Sequence, residues 1–162
     1  MFGENFKKKR KTINSRIKNK EMKIKKPTKK DLYKKEKRLK KRLQVEADVL
    51  WHLAVIKKYG DRCFFAGKTK QALNCPKVAQ KCHHYFPKGR YPELRYEITN
   101  GVPICWPDHY KAEKIDRTML ADILRVRDEE WYNKLNKIRF ERKSWSSFET
   151  TDYYRKIIKE LE

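Results

Sequence analysis

Two adjacent histidines, His83 and His84, lie in the run Cys-His-His-Tyr-Phe-Pro-Lys-Gly-Arg at 82–90. Neighbouring side chains on a strand point to opposite sides. A pair at a strand end can therefore send one imidazole to a metal ion and the other toward a substrate. Either histidine alone is more often an ordinary surface or core residue; the pair, in a turn-rich stretch, shifts the balance toward chemistry. A third histidine, His109, follows Pro107 and Asp108, which read as the opening turn of a helix, where proline fits and aspartate suits the positive end. Glu113 is four residues on, on the same helix face. His83, His109 and Glu113 can together hold one divalent ion with positions left for water and phosphate. Imidazole suits zinc and nickel; magnesium and manganese also serve where phosphate and water supply the remaining oxygens. A neutral imidazole, with its usual pKa of about 6.5, can also accept a proton near neutral pH. Lys88, Arg90 and Arg95 lie in the loop between these histidines and can clamp a phosphate group.

The elements that must hold these groups show in the apolar pattern. Residues 61–115 carry all four cysteines, three of the four histidines and most of the prolines, without helical periodicity. Short β-like pieces at 81–85 and 102–105 flank a polar loop, and their antiparallel pairing would bring His83 close to His109. On the N-terminal side, 31–60 reads as one long basic helix. Leu32, Leu39, Leu43, Leu50 and Ala54 form a seam on one face, with Pro27 before it and Gly60 as its stop. The seam either packs on its own domain, the commoner outcome, or pairs two chains as a homodimer. From about 116 to 162 helical spacing returns through Leu120, Leu124, Trp131, Leu135 and Ile138, with Asp116 as the N-cap, followed by a short helix over 151–161. Residues 1–30 read as a flexible basic tail. The expected class is α+β: a mostly helical chain around a small hairpin-and-helix core.

The charge narrows the partners. There are 43 lysines and arginines against 21 acidic residues, a net of +22 over 162 residues. Residues 1–42 hold 20 basic and 4 acidic residues, a local net of +16. Self-repulsion on this scale destabilises a compact chain unless a polyanion neutralises it. Nucleic acid fits best; an anionic membrane surface would need a bulky apolar helix face, and a solubilising surface is the bland alternative. No apolar run is long enough to span a membrane and no secretory signal is present, so a reducing cytoplasm is expected. Cys63, Cys75, Cys82 and Cys105 are then thiols, free for metal or burial rather than disulfides.

The order of His83-His84, Asn100 sixteen residues on, Val-Pro-Ile-Cys at 102–105 and then His109 resembles the HNH endonuclease motif. The segment Leu-Arg-Tyr-Glu at 94–97 is further similar to phage HNH proteins of the NinG recombination-nuclease kind. The resemblance covers about 62–114. It implies a ββα-metal core, metal-dependent cleavage of duplex or branched DNA, and, if phage-encoded, the host cytoplasm. It also implies roles: His83 and His109 as metal ligands, His84 as the base that activates water, and Asn100 as the brace of the catalytic loop. Many members carry two Cys-x-x-Cys pairs around a structural zinc. Here the pairs read Cys63-Phe-Phe-Ala66 and Cys105-Trp-Pro-Asp108, and each has lost a cysteine. Cys63 and Cys105 are left either as ligands of such a zinc or as packed thiols; the spacing of Cys75 and Cys82 nominates neither as a replacement. The competing function is a nucleic-acid-binding protein on a degenerate, inactive HNH fold. The basic tail suits both functions; the complete His-His-Asn-His set is what a pure binder would not need.

Overall fold

The computed structural model describes residues 26–66, 75–115, 118–141, 145–148 and 150–162. Most of the expected tail, residues 1–25, and the expected N-cap Asp116 lie outside these. Contacts divide the chain into two units, 1–35 and 36–162.

In the first unit, described residues begin α1 (Lys29–Tyr59). Thr28 and Asp31 close a reciprocal cap. The Asp31 amide donates to Thr28 Oγ1 at 3.2 Å, and the Thr28 amide donates to the Asp31 carboxylate at 3.1 Å. The Thr28 hydroxyl donates to the same carboxylate at 2.6 Å, and it and the Thr28 amide hold the Asp31 pKa below its usual value.

In the second unit, α1 buries Leu43, Ala47, Trp51 and Val55, one residue per turn. Of the expected seam Leu43 belongs to this face, and Leu39, one turn before it, packs half-buried on the same cluster. Leu32 is 52% exposed, and Leu50 and Ala54 are half-buried flanks. The reason is size: Trp51 offers the helix's largest apolar surface. Burying it with Val55 against Tyr96 and Tyr154 places the buried face one residue beyond Leu50 and Ala54. Gly60 ends α1 at φ +81°, and its amide donates to the Ile56 carbonyl at 2.8 Å.

Strands β1 (Lys81–His84) and β2 (Gly101–Ile104) pair antiparallel, with His83 opposite Val102 and His84 opposite Gly101. Strand β1 is one residue shorter than expected, and β2 keeps its expected length but begins one residue earlier. Gly101 is required by packing. A Cβ there would collide with the Val55 side chain and lie 3.1 Å from the Ile98 carbonyl. Its absence lets α1 lie directly against the sheet. Helix α2 (Trp106–Lys114) follows β2 at once, with Pro107 in its first turn. Its Ala112 packs with Val102, Ile104, Phe65 and Ile123 in a core cluster.

One expected C-terminal helix is two: α3 (Met119–Val126) and α4 (Glu129–Phe140). Asp128 breaks the run. Its side chain accepts from the Trp131 amide at 2.7 Å and so starts a new helix. A third core cluster joins Leu135 of α4 to Phe86 and Leu94. The last helix, α5 (Thr151–Leu161), is where the periodicity placed it, capped by Thr150. Among the described residues the fold is mostly helical around one two-stranded antiparallel sheet, an α+β arrangement. None of the described helices is long and apolar enough to cross a membrane.

Candidate metal centres and the histidine groove

Strand alternation separates the two histidines. His83 faces α2 and is 8% exposed. His109 and Glu113, one turn apart on α2, face it. Nδ1 of His83 lies 3.9 Å from Glu113 Oε1, and Nε2 of His109 lies 3.5 Å from the same oxygen. One ligand atom from each of the three falls within a 4.8 Å cluster. The His83 and His109 rings meet edge to face at 5.2 Å. Burial, with the neighbouring His109, pulls the His83 pKa down to about 4. The ring is therefore neutral at pH 7, the form that binds a metal. Its Nε2 is buried without a hydrogen-bond partner among the described residues.

His84 faces α1. Its ring stacks on Trp51 with centroids 3.9 Å apart and planes 7° from parallel. Its Nε2 lies 2.8 Å from the Arg95 carbonyl. A carbonyl only accepts, so Nε2 carries the proton and Nδ1 keeps the lone pair. Burial lowers the His84 pKa to about 4, against the effect of the Arg95 carbonyl and with help from Lys88. Asn100 is fully buried and ties the intervening loop at three points. Its Nδ2 donates to the Phe86 and Leu94 carbonyls, both at 3.0 Å, and its Oδ1 accepts from the Phe86 amide at 2.8 Å.

Both histidines open onto one groove of about 720 Å³, whose lining includes His83, His84, His109 and Glu113 with Lys88 at the loop. Helix α1 supplies Asp48, Trp51 and His52 to the same groove. The three expected phosphate clamps divide here. Lys88 is exposed and lines the groove. Arg90 is exposed and lies over the Tyr91 ring, 5.5 Å from its centroid. Arg95 turns away from the expected role. Its guanidinium forks onto Asp48 of α1 at 2.9 and 3.0 Å and donates to Tyr96 Oη at 3.0 Å. A guanidinium whose Nε and Nη2 are engaged in this way ties a helix to a loop rather than gripping a phosphate.

A second cluster lies on the other side of α2. Cys63, Cys75, Cys105 and Asp108 each offer one ligand atom within 4.8 Å of the others. Residues 61–66 are held against 75–79 by an Arg62–Val78 bridge and by the Cys63 amide, which donates to the Lys77 carbonyl at 2.8 Å. This brings Cys75 beside Cys105, with sulfurs 3.5 Å apart. Asp108 is 1% exposed. The thiols of Cys105 and Cys63 donate to its Oδ2 at 3.0 and 3.4 Å. Thiols are weak donors, and a buried carboxylate needs a cation or strong donors. Three sulfurs and a carboxylate therefore fit a soft divalent metal. Burial pushes the Cys63 pKa up to about 11 and the Cys105 pKa up as well. Cys82 stands apart, its thiol donating to the His52 carbonyl at 3.8 Å.

Four contributors were not expected from the sequence: Trp51, Asp48, Cys75 and Asp108. Asp108 had a readable signal, since Cys105-x-x-Asp108 keeps the spacing of a ligand pair with one thiolate exchanged for a carboxylate. The other three reach their places through tertiary contacts. No family model matches the chain, and neither the curated proteins nor the solved structures contain a significant match.

Proposed function

We propose that this protein is a metal-dependent endonuclease of the HNH kind that hydrolyses phosphodiester bonds in DNA. One observation carries the reading. His83, His109 and Glu113 converge on one point at the groove, while His84, the next residue, presents a neutral imidazole to the same groove from the opposite face of the strand. A divalent ion held by the first three would supply the Lewis acid for the phosphate and the leaving oxygen. His84 takes the proton from the attacking water at Nδ1, the nitrogen left with its lone pair. Water adds to phosphorus, one P–O bond breaks, and the severed oxygen leaves with the electron pair. Asn100 keeps the loop from Phe86 to Leu94 in place, and with it the polypeptide that carries Arg95. Lys88 meets the phosphate backbone, and the net charge of +22 draws the chain onto DNA.

The second cluster is the finer part of the same reading: a structural zinc on Cys63, Cys75, Cys105 and Asp108. Thiolate ligands select zinc among the common divalent ions, and a closed four-ligand set marks a structural role. Elemental analysis of purified, extensively dialysed protein should find one zinc per chain.

The function is tested by incubating the protein with plasmid, hairpin and four-way-junction DNA and each of magnesium, manganese, nickel and zinc. Nicking or cutting that needs the ion and is lost in His84→Ala supports the reading. DNA that is bound but intact with every ion would leave a binding protein on this fold.

A further inference from the structure

The His84 ring is held by groups outside the histidine-rich segment, and most of them come from α1. Three residues of that helix, one per turn, meet the loop and sheet around His84. Asp48 grips the Arg95 guanidinium in a fork at 2.9 and 3.0 Å. Trp51 stacks on the His84 ring at 3.9 Å and 7°. Val55 occupies the space left by Gly101, the residue paired with His84 across the sheet. Trp51 is 4% exposed and is fixed in turn, its Nε1–H donating to the Glu97 carbonyl at 3.1 Å. Arg95, held by its side chain, offers its backbone carbonyl to His84 Nε2 at 2.8 Å.

A histidine on a strand has two free side-chain torsions, and a half-turn of its ring exchanges each nitrogen with a ring carbon. The Trp51 face fixes the plane of the ring. The Arg95 carbonyl fixes the edge, because only Nε2–H satisfies it. Together they leave one orientation, with Nδ1 as the free acceptor. The geometry points to Trp51 as a positioning residue: by stacking on His84 it holds the imidazole in the single orientation and tautomer that exposes Nδ1 to the groove. Asp48 acts in the same sense through Arg95. This rests on the nuclease reading only for the consequence, since the ring is held whether or not His84 removes a proton.

The test has two readouts on the full-length chain. The first is the imidazole ¹⁵N spectrum of the purified protein with no divalent ion added, at one pH, which reports the tautomer of His84 without activity. Wild type should show a single Nε2–H tautomer at His84; a mixture of tautomers in wild type overturns the proposal at once, with no variant needed. Trp51→Leu should move His84 toward the mixture. Trp51→Phe, which keeps a stacking face, should restore the wild-type pattern. The second readout is single-turnover cleavage at saturating DNA with magnesium or manganese. Trp51→Leu should slow it on the order of 100-fold, as expected of a misplaced reacting group, with DNA affinity within about twofold of wild type; Trp51→Phe should recover most of the rate. A Trp51→Leu protein that keeps one tautomer and full rate overturns the proposal. Cleavage absent from wild type strikes the nuclease reading alone, and the imidazole spectrum then decides the positioning role by itself.

Discussion

Helix α2 carries two clusters of potential ligands, and they differ in every respect that matters to a metal. His109 and Glu113 look toward the groove, and Glu113 keeps 44% of its side chain exposed. Three protein ligands leave room for water and a phosphate oxygen. Asp108, one residue before His109, looks the other way into a set of four, three of them buried and Cys75 half-buried, with two thiols donating to it. The first arrangement is open and the second closed, the division that separates sites for chemistry from sites for architecture. One helix turn thus serves both. A metal in the closed set would pin the start of α2 to the 61–66 and 75–79 segments, and so fix the histidine that begins the open set. Substitution should therefore separate the two roles, although the ligands are neighbours in sequence.

The largest effect expected is on stability. Cys105→Ala or Asp108→Ala removes a ligand from the closed cluster, where binding of the proposed zinc would be coupled to folding. Breaking such a buried set costs about 3–5 kcal/mol, which for a chain of this size lowers the melting temperature by about 10 °C or more. His109→Ala, in the open cluster, should shift it by no more than about 2 °C while weakening the binding of an added divalent ion. Scanning calorimetry of the three variants beside wild type checks this. Equal losses for Asp108→Ala and His109→Ala would erase the distinction between the sites.

Acid should sharpen it. His83 and His84 have their pKa values held near 4 against the usual 6.5. With no divalent ion added, the unfolded chain therefore binds more protons than the folded one between those limits. The sign follows: stability from these groups is complete above about pH 6.5 and is lost as pH falls toward about 4. Each contributes at most about 3 kcal/mol. The Cys63 thiol titrates far above this window, at about 11. Urea unfolding between pH 5 and 6.5 should show a stability rising with pH, and His84→Phe, which keeps a ring on Trp51, should reduce the slope by about one proton. An unchanged slope would mean that His84 is not buried as a neutral ring.

Much of this arrangement was legible in the residues, and the misses share a cause. The hairpin and α2 follow from local signals: the His-His pair, the short apolar strand at 102–105 and the Pro-Asp helix opening. His83, His109 and Glu113 follow from strand alternation and the four-residue helix step. What depends on the third dimension did not show. Leu50 and Ala54 look as apolar as Trp51 and Val55, and only packing on Tyr96 and Tyr154 decides which face turns inward. Cys75 lies thirty residues from Cys105, so no spacing rule links them. Arg95 reads as a phosphate clamp until Asp48, forty-seven residues away, is placed beside it. The break between α3 and α4 was readable in principle, since Asp128-Glu129-Glu130 is an N-terminal signature, but continuous apolar spacing across it masked the signal.

A smaller effect probes how closely α1 must approach the sheet. Gly101→Ala places a methyl group against Val55, and overpacking of this kind costs about 1–3 kcal/mol. The strain falls on the α1 side, beside His84, and not on either cluster of α2. Thermal unfolding should show the loss, while zinc content and added-metal affinity stay at wild-type values. Val55→Ala in the same chain should recover part of the stability by making room. A Gly101→Ala protein as stable as wild type would mean that α1 can move away from the sheet at little cost.

The smallest effect separates Lys88 from Arg95, two residues whose sequence context suggests the same role. Lys88 is exposed at the groove, so its charge is available to a phosphate. The charge of Arg95 is taken up by Asp48. Each phosphate contact contributes about 0.9 to the slope of log affinity against log salt on duplex DNA, because it releases a condensed counterion. Lys88→Ala should lower that slope by about one and weaken binding modestly at physiological salt, with the melting temperature unchanged. Arg95→Lys should leave the slope as it is, since no phosphate loses a partner. It should instead slow single-turnover cleavage, because a lysine cannot reproduce the two-pronged grip on Asp48 that steadies the carbonyl under His84. Fluorescence anisotropy on one duplex across a salt series measures both slopes in parallel. A slope that falls for Arg95→Lys and not for Lys88→Ala would reverse the assignment and return Arg95 to the phosphate backbone.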